Sequence, residues 1–321
     1  ALPDGFEHLR DQDDLVEALG GLKRLHPELS RAVVKLDEGF SGEGNAVFSF
    51  AGIDAGSDLH HQISRRLPLG LTFEADAENP ESYLAKLAEM GGIAECFIES
   101  PDARSPSVQC RVNPLGTVEL VSTHDQLLGG RSMQTYLGCT FPADPAYRIA
   151  LHDASRQVSG ELARRGVIGR HSIDFVSVPR DGTWDQYAIE INLRKGGTTL
   201  PFLMLQFLTD GSYDPDAGLY VTRSGEGRCY VASDNVQSPS YRGLAPDDLI
   251  DIAVCNGLHF DAAEHRGVVF HLLGAMSEFG KLGIVAIAET PGAARTMFDA
   301  TVAVLDRETN GHASWPGPAP P

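Results

Sequence analysis

The residues best suited to chemistry lie in one short stretch, in which polar and apolar side chains alternate. Glu190, Asn192 and Arg194 are separated by single aliphatic residues. Because a β-strand directs successive side chains to opposite faces, we expect the three polar groups to share one face. Carboxylate and amide oxygens are ligands that Mg²⁺ prefers, and a guanidinium suits a phosphate or a carboxylate. The stretch predicts a cation and phosphate site, although an ordinary half-exposed strand would show the same alternation.

A second alternating run, residues 172–178, precedes this stretch and is joined to it by a turn sequence. A hairpin would place Asp174 beside Glu190 or Asn192. Clustered carboxylates repel one another without a cation, so a metal explains the set better than solvation does. We therefore predict that Asp174, Glu190 and Asn192 bind a metal ion.

A glycine-rich loop lies far upstream. Two β-type runs flank Gly39, Gly42 and Gly44, and Lys35 lies at the end of the first run. Such a loop suits a flexible flap whose backbone amides cover phosphates. It is not a Walker loop, because no Gly-Lys-Ser/Thr opens a helix here. The glycine spacing and the strand-like residues that follow also exclude a dinucleotide fingerprint.

Together these stretches resemble the ATP-grasp superfamily, and more closely its peptide ligases of the pheganomycin-ligase type. The first carries the glycine-rich loop with its lysine, and the second carries the Glu-x-Asn pair running into Arg-Lys-Gly-Gly-Thr-Thr. Residues 268–283 also resemble the C-terminal region of those ligases, so the resemblance spans most of the chain. It implies an α+β fold in which two lobes grip ATP, with a small C-terminal α/β extension.

The resemblance implies roles for individual residues. Lys35 would contact the α- and β-phosphates, one or two Mg²⁺ ions would be held by the three predicted metal ligands, and Arg194 would stabilise negative charge on the reacting group. Glu99 or Asp102 would bind the ribose hydroxyls. The residues implied in nucleotide binding are Lys35, Gly39, Ser41, Gly42, Gly44, Asn45, Glu95, Phe97, Ile98 and Glu99. A plain buried strand that ends in a polar loop is an equally good interpretation of residues 95–99.

Two further polar residues follow a predicted pair of strands. His124 invites a catalytic role, because histidine titrates near neutral pH. A lone histidine at a strand end is more often structural, however, and ligation through an acyl phosphate can proceed without a histidine base. Gln126 is a further candidate for a contact to substrate or nucleotide.

Composition limits the classes of partner. The 321 residues include 26 basic and 44 acidic ones, a net charge of -18, which makes nucleic acid and anionic membranes poor partners. The five cysteines are scattered without a Cys-x-x-Cys pair, which favours a reducing compartment. No apolar run approaches the roughly 18 residues of a membrane span, and the first residues lack a basic segment before an apolar one. These features predict a cytoplasmic protein.

Helical periodicity and capping residues predict several helices, of which residues 145–165 form the longest. Residues 213–241 are rich in Gly, Ser, Asp and Pro and predict a long irregular link, which marks the best domain boundary. We predict an N-terminal ATP-grasp lobe at 1–98, a C-terminal lobe at 99–228, an extension at 229–310 and a disordered tail at 311–321.

ATP-grasp ligases usually carry a substrate-binding domain before the glycine-rich loop. Only about thirty residues precede Lys35, too few for such a domain. We expect either that the chain is a fragment of a longer protein or that another chain supplies this domain. A homodimer is a further alternative.

The resemblance implies an ATP-dependent carboxylate–amine ligase. Such an enzyme would join an amino acid or modified amino acid carboxylate to a small-molecule or peptide amine through an acyl phosphate, releasing ADP and phosphate. Two alternatives remain. One is an ATP-binding module that is inactive alone or needs a missing N-terminal domain, and the other is phosphotransfer to an acceptor that is not a carboxylate.

Overall fold

The computed structural model describes residues 1–38, 44–56, 58–73, 75, 77–130 and 134–311. These residues form helices and antiparallel sheets in two compact units, each discontinuous in sequence. Unit one comprises Ala1–Ala103, Leu128–Tyr136 and Val176–Ile189, and unit two comprises Arg104–Leu127, Leu137–Phe175 and the chain from Glu190 onward.

The strands, in chain order, are β1 (Gly5–Leu9), β2 (Arg31–Leu36), β3 (Asn45–Ser49), β4 (Leu71–Phe73), β5 (Gly92–Cys96), β6 (Pro106–Val112), β7 (Val118–Gly129), β8 (Thr135–Phe141), β9 (Gly169–Arg180), β10 (Thr183–Asn192), β11 (Ser212–Asp214), β12 (Leu219–Val221), β13 (Cys229–Gln237), β14 (Gly267–His271) and β15 (Lys281–Ala288). The α-helices are α1 (Gln12–Leu25), α2 (Leu59–Gly70), α3 (Pro80–Met90), α4 (Arg148–Arg164), α5 (Thr199–Thr209), α6 (Pro246–Cys255), α7 (Met276–Phe279) and α8 (Pro291–Gly311).

A five-stranded sheet, in the order β1-β5-β2-β3-β4, forms the framework of unit one. Helix α1 begins where the Asp11 side chain accepts a hydrogen bond from the backbone N–H of Asp14, as N-cap residues do. On one face of the sheet, alternate residues of β2 and β5 join the hydrophobic core with helices α1 to α3. Because side chains alternate along a strand, Lys35 and Glu95 lie on the other face.

An eight-stranded sheet, in the order β10-β9-β6-β7-β8-β13-β15-β14, contains most strands of unit two, whereas β11 and β12 form a separate two-stranded sheet. The β9–β10 hairpin turns through Asp181 and Gly182, at φ values of 49° and 80°. Left-handed residues at both turn positions match the twist of a tight hairpin. The predicted hairpin is therefore confirmed. Strands β13 to β15 form a second hydrophobic core with α6 and α8.

The predicted irregular link at residues 213–241 is wrong. The segment contains β11, β12 and β13, and β13 pairs with both β8 and β15. The many Gly, Ser, Asp and Pro residues occupy the turns, whereas the alternation that starts at Cys229 forms the strand. Since neither compact unit ends at residue 228, the four-part division of the chain stays a prediction.

Two smaller expectations also differ. The helix predicted at 145–165 is present as α4, but α8 has 21 residues against 17 in α4. The predicted tail at 311–321 lies outside the described residues, except for Gly311 at the end of α8. Among the described residues, no helix combines the length and the hydropathy needed to cross a bilayer.

We predict that Tyr83→Phe lowers the free energy of unfolding by about 1 to 2 kcal/mol. The fully buried Tyr83 hydroxyl donates to the carbonyl oxygens of Val34 at 2.9 Å and Gly44 at 3.0 Å, and it thereby fixes the residue that precedes β3 to strand β2. Urea unfolding measures the change. The matched variant, Tyr187→Phe on half-buried Tyr187, should change stability by less than about 0.5 kcal/mol. Equal effects of the two variants would contradict the role of Tyr83.

Candidate functional site

The predicted metal ligands lie together in unit two. Asn192 at the end of β10 donates a side-chain hydrogen bond to Asp174 Oδ2 on β9, at 3.2 Å. Glu190, two residues before Asn192, is close enough to act electrostatically on Asp174. Two carboxylates and an amide form a set of hard oxygen ligands, and rotation of the Asn192 amide would present its oxygen instead of its nitrogen.

The surroundings of Asp174 disfavour its charged form. Burial raises its pKa to about 7, and the charge of Glu190 adds to the shift. Hydrogen bonds from Ser107 and Gln126 and the charge of Arg194 oppose it. Among the described residues no group of three or more His, Cys, Asp or Glu side chains could hold a metal. A site with two carboxylates fits Mg²⁺, because this ion is usually bound through one or two carboxylates together with substrate phosphates.

Ser107 was not expected from the sequence. The β6–β9 register places it directly opposite Asp174, and only this tertiary pairing gives it a role. The predicted contact of Gln126 with a substrate or nucleotide stays a prediction, since its observed partner is Asp174.

Lys35 and Glu95 form an ion pair in unit one. They lie on the adjacent strands β2 and β5, and the side chains of both are mostly buried. Lys35 Nζ also donates to the carbonyl oxygen of Ile189, at 2.8 Å. The carboxylate predicted beside adenine is thus the counterion of the lysine predicted beside the phosphates. The adenine contact of the Glu95 backbone stays a prediction.

Asn45 follows the glycine-rich loop and donates a hydrogen bond to Gln134 Oε1 at 2.9 Å. Its neighbour Gly44 is held by Tyr83, as described above. The remaining predicted loop residues, Gly39, Ser41 and Gly42, lie outside the described residues.

The segment after β5 carries a cluster around Arg31. Its guanidinium lies 4.0 Å from the centroid of the Phe97 ring. Glu99 accepts hydrogen bonds from Arg31 Nε at 2.6 Å and Ser30 Oγ at 2.7 Å. Partial burial tends to raise the pKa of Glu99, but these two hydrogen bonds outweigh it and hold the pKa below its usual range. Ribose hydroxyls at Glu99 would therefore compete with Arg31, and Ile98 is half-buried beside this cluster.

His124 lies inside β7 rather than at a strand end. It is fully buried, its Nε2 lies 2.7 Å from the Tyr230 hydroxyl, and burial lowers its pKa to about 3. The rings of Phe141 and Phe202 also pack near it. A histidine that stays neutral in an aromatic cluster is structural, in agreement with the preference stated from the sequence.

Arg194 is exposed at the start of the turn that leads into α5. Its Nη1 donates to the Lys195 carbonyl oxygen at 3.3 Å. The Gly196 N–H donates to Thr199 Oγ1 at 3.1 Å, and Gln109 of β6 donates to Thr198 Oγ1 at 3.0 Å. Gln109 thus anchors the turn to the sheet, a contact that the sequence pattern did not indicate.

We predict that Asp174 makes stability fall as pH rises. The ordinary Asp pKa is 3.8 and the folded value is about 7. Between these values the folded chain keeps a proton that the unfolded chain has released. The free energy of unfolding should therefore fall by up to about 1.4 kcal/mol per pH unit from about pH 4 to about pH 7, and then level off.

Thermal unfolding of the wild type and Asp174→Asn between pH 5 and 8 measures this dependence, which the variant should lose. The control is Asp181→Asn in the exposed hairpin turn, where asparagine tolerates the left-handed conformation. Parallel pH profiles of the wild type and Asp174→Asn would contradict the assignment.

Comparisons with known proteins give two family models and two curated relatives. A family model described as IQCH-like, ATP-grasp matches residues 72–216, and one described as PGM1 C-terminal domain matches residues 248–301. The chain is 32% identical over 311 residues to the L-propargylglycine–L-glutamate ligase of Streptantibioticus cattleyicolor, covering 95% of this chain and 60% of that protein. It is 21% identical to the IQ motif-containing protein H of Danio rerio, covering 96% of this chain and 32% of that protein. The chain thus spans less than two thirds of the length of the curated relatives that it matches.

Solved structures show the same fold. The ADP complex of N5-carboxyaminoimidazole ribonucleotide synthetase superposes with a TM-score of 0.54 at 13% identity, covering 95% of this chain and 67% of that one. The biotin carboxylase of Campylobacter jejuni gives a TM-score of 0.55 at 15% identity, covering 94% and 62%. The ATP-grasp family model over residues 72–216 and the ligase relative both indicate the ATP-grasp superfamily, and these folds agree with it.

Proposed function

We propose that this protein is an ATP-dependent carboxylate–amine ligase that works through an acyl phosphate. The observation that carries the proposal is the contact between Asp174 and Asn192, with Glu190 beside them and with burial disfavouring the charged form of Asp174. A cation would compensate the charge of Asp174, and the Mg²⁺ of Mg·ATP would supply one. The ligase relative supports the reaction type.

In unit one, Lys35 would bind the nucleotide phosphates. In the structure its charge is compensated by Glu95 and its Nζ is held by the Ile189 carbonyl oxygen. A lysine held by two partners is positioned in advance, so less side-chain entropy is lost when phosphates bind. The residues proposed for adenine and ribose follow one another along the chain, with Glu95 inside β5 and Phe97, Ile98 and Glu99 directly after it.

In unit two, Asp174, Glu190 and Asn192 would hold one or two Mg²⁺ ions. When bound, the ion neutralises charge on the phosphates during transfer. Arg194 is exposed two residues after Asn192 and would stabilise negative charge on the acyl phosphate or on the tetrahedral species that follows it.

The proposed reaction balances without a redox partner. A substrate carboxylate oxygen attacks the γ-phosphorus of ATP, and ADP leaves. The nitrogen of the amine then attacks the acyl carbon, inorganic phosphate leaves, and the amine loses a proton. The product is an amide. Excluding water during this sequence prevents hydrolysis of the acyl phosphate.

The proposed substrates are small molecules. The ligase relative is named for joining L-propargylglycine and L-glutamate, which favours an amino acid carboxylate and an amino acid or peptide amine here. The proposed location is the cytoplasm, in agreement with five cysteines that are all free.

We predict that Mg·ATP stabilises the wild type and does not stabilise Glu190→Gln. Ligand at about a hundred times its dissociation constant adds roughly 2.7 kcal/mol to the free energy of unfolding, which corresponds to a shift of several degrees in the unfolding temperature. Thermal unfolding with and without Mg·ATP measures the shift. Glu161→Gln, a change on α4 at a partly exposed residue outside the candidate site, should shift like the wild type. If Glu190→Gln shifts as much as the wild type, Glu190 is not a metal ligand.

We predict that Arg194→Ala keeps the Mg·ATP shift but loses about 10²- to 10³-fold in ligation rate, since it removes a preorganised donor. Carboxylate-dependent ADP release and amide formation, followed with L-glutamate and an amino acid amine, measure the rate. Arg164→Ala at the exposed end of α4 is the matched control. Ligation by Arg194→Ala at the wild-type rate would remove Arg194 from the mechanism, and a stable phosphorylated acceptor without amide would favour phosphotransfer instead.

A further inference from the structure

A short turn of unit two, residues 193–198, leads from the candidate metal ligands to helix α5. It begins directly after Asn192, the last residue of β10. Arg194 is exposed in it, whereas Thr198 at its end is buried. Two glycines lie between them, and glycine gives a chain the widest choice of backbone conformations. A turn of this composition needs anchors if it is to hold one conformation.

The end of this turn is bonded to strand β6. Gln109 Nε2 donates a hydrogen bond to Thr198 Oγ1 at 3.0 Å, and both side chains are buried. A buried donor that lost this partner would be left unsatisfied, which is costly. The Thr199 N–H donates to the Gly196 carbonyl oxygen at 3.0 Å. The hydrogen bond at Thr198 therefore also holds the backbone around the glycines.

Thr198 does not use its hydroxyl in the way that its position favours. It directly precedes α5, where a threonine oxygen ordinarily accepts a hydrogen bond from a backbone N–H of the first helical turn. Thr198 makes no such capping bond, and its backbone is helical rather than extended, at φ −75° and ψ −13°. The contact with Gln109 thus overrides a local preference. Natural proteins make such exceptions at functional sites.

Strand β6 also contacts the candidate metal site. In the β6–β9 register, Ser107 lies opposite Asp174 and Gln109 lies opposite Ser172. The Ser107 side chain is hydrogen-bonded to the Asp174 carboxylate. These two pairs are neighbours on one face of the sheet, about 7 Å apart along the strands. Strand β6 thus holds the metal ligand with one side chain and the turn with the next side chain on that face.

Arg194 lies between two fixed points of the chain. Asn192 on one side is bonded to Asp174, and Thr198 on the other side is bonded to Gln109. The guanidinium of Arg194 is close enough to act electrostatically on Asp174. Because a long exposed side chain has many rotamers, the distance of Arg194 from the metal ligands depends on where the backbone of the turn is held.

We propose that Gln109 is a positioning residue for the ligation step, because its hydrogen bond to Thr198 fixes the turn that places Arg194 beside the metal ligands. The proposal rests on the ligase function proposed above and on the role of Arg194 in it. Gln109 is itself buried, so it acts through Arg194 rather than on the substrate. A misplacement of about 1 Å can cost on the order of 10²-fold in rate. The anchor therefore affects the ligation rate more than nucleotide binding.

The test removes the hydrogen bond from either end. Gln109→Met removes the donor, Thr198→Val removes the acceptor, and Thr198→Ser keeps the hydroxyl. We expect Gln109→Met and Thr198→Val to lose at least about tenfold in kcat for ligation of L-glutamate with an amino acid amine. Their KM for ATP and their Mg·ATP shift should equal those of the wild type. Thr198→Ser should ligate at close to the wild-type rate.

Two comparisons separate positioning from a loss of stability. When Gln109→Met is combined with Arg194→Ala, it should cause little further loss, because residues that act as a unit are not additive. Thr209→Val is the matched control at the other end of α5. The Thr209 hydroxyl is similarly buried and donates to the Leu205 carbonyl oxygen at 2.7 Å. This control should lose stability as Thr198→Val does but ligate as the wild type does.

Hydrogen exchange of residues 193–199 measures the turn without catalysis. These amides should exchange roughly tenfold faster in Gln109→Met and Thr198→Val than in the wild type, the equivalent of one lost hydrogen bond. Thr209→Val should leave their exchange unchanged. The same exchange in Gln109→Met as in the wild type would overturn the proposal whatever the ligation rates.

The positioning role is also overturned if Gln109→Met and Thr198→Val ligate as the wild type does, or if their losses multiply with that of Arg194→Ala. An equal loss in Thr209→Val would reduce the effect to stability and overturn it too. The ligase function fails in a different way. The wild type would then release no ADP in response to a carboxylate, and the positioning role would fall with it, whereas ligation by the wild type and by every anchor variant removes only the role of Gln109.

Discussion

The constraint on which the candidate site depends is the charge of one half-buried carboxylate, that of Asp174, which needs a compensating partner. Asp174 is placed by β9, receives hydrogen bonds from Ser107, Gln126 and Asn192, and has Glu190 nearby. Hydrogen bonds alone do not offset its burial, because its pKa remains near 7. Carboxylates in this situation either bind a proton or bind a cation. The proposed Mg·ATP site is the second solution, and the antiparallel pairing of β6, β9 and β10 provides the geometry for it.

Charges are also compensated in unit one, but there the partners are side chains of the protein itself. Lys35 and Glu95 occupy the sheet face that the helices do not cover, and they neutralise each other. Arg31 and Glu99 repeat the arrangement after β5. Both basic side chains thus have an internal carboxylate partner. Phosphates at Lys35, as proposed above, would have to compete with Glu95.

Much of this arrangement was predictable from local patterns. The alternation around Glu190 and the turn at Asp181-Gly182 gave the hairpin, and the hairpin gave the contact between Asp174 and Asn192. Helix α3 was also predictable, since Asn79 and Gly91 mark its two ends. Residues 213–241 were misinterpreted because turn-forming residues outnumber the strand residues there. The strand β13 is stabilised by pairing with β8 and β15, which are distant in sequence.

The sequence by itself indicated the superfamily, and it determined the hairpin and the three candidate metal ligands, because each depends on the period of a strand or on residues close in the chain. Tertiary structure alone decided which side chains complete them. Ser107 meets Asp174, Gln109 meets Thr198, and Glu95 meets Lys35, through the register of strands separated by many residues. Register is fixed by the fit of whole faces against a core, and no short stretch of sequence contains that information.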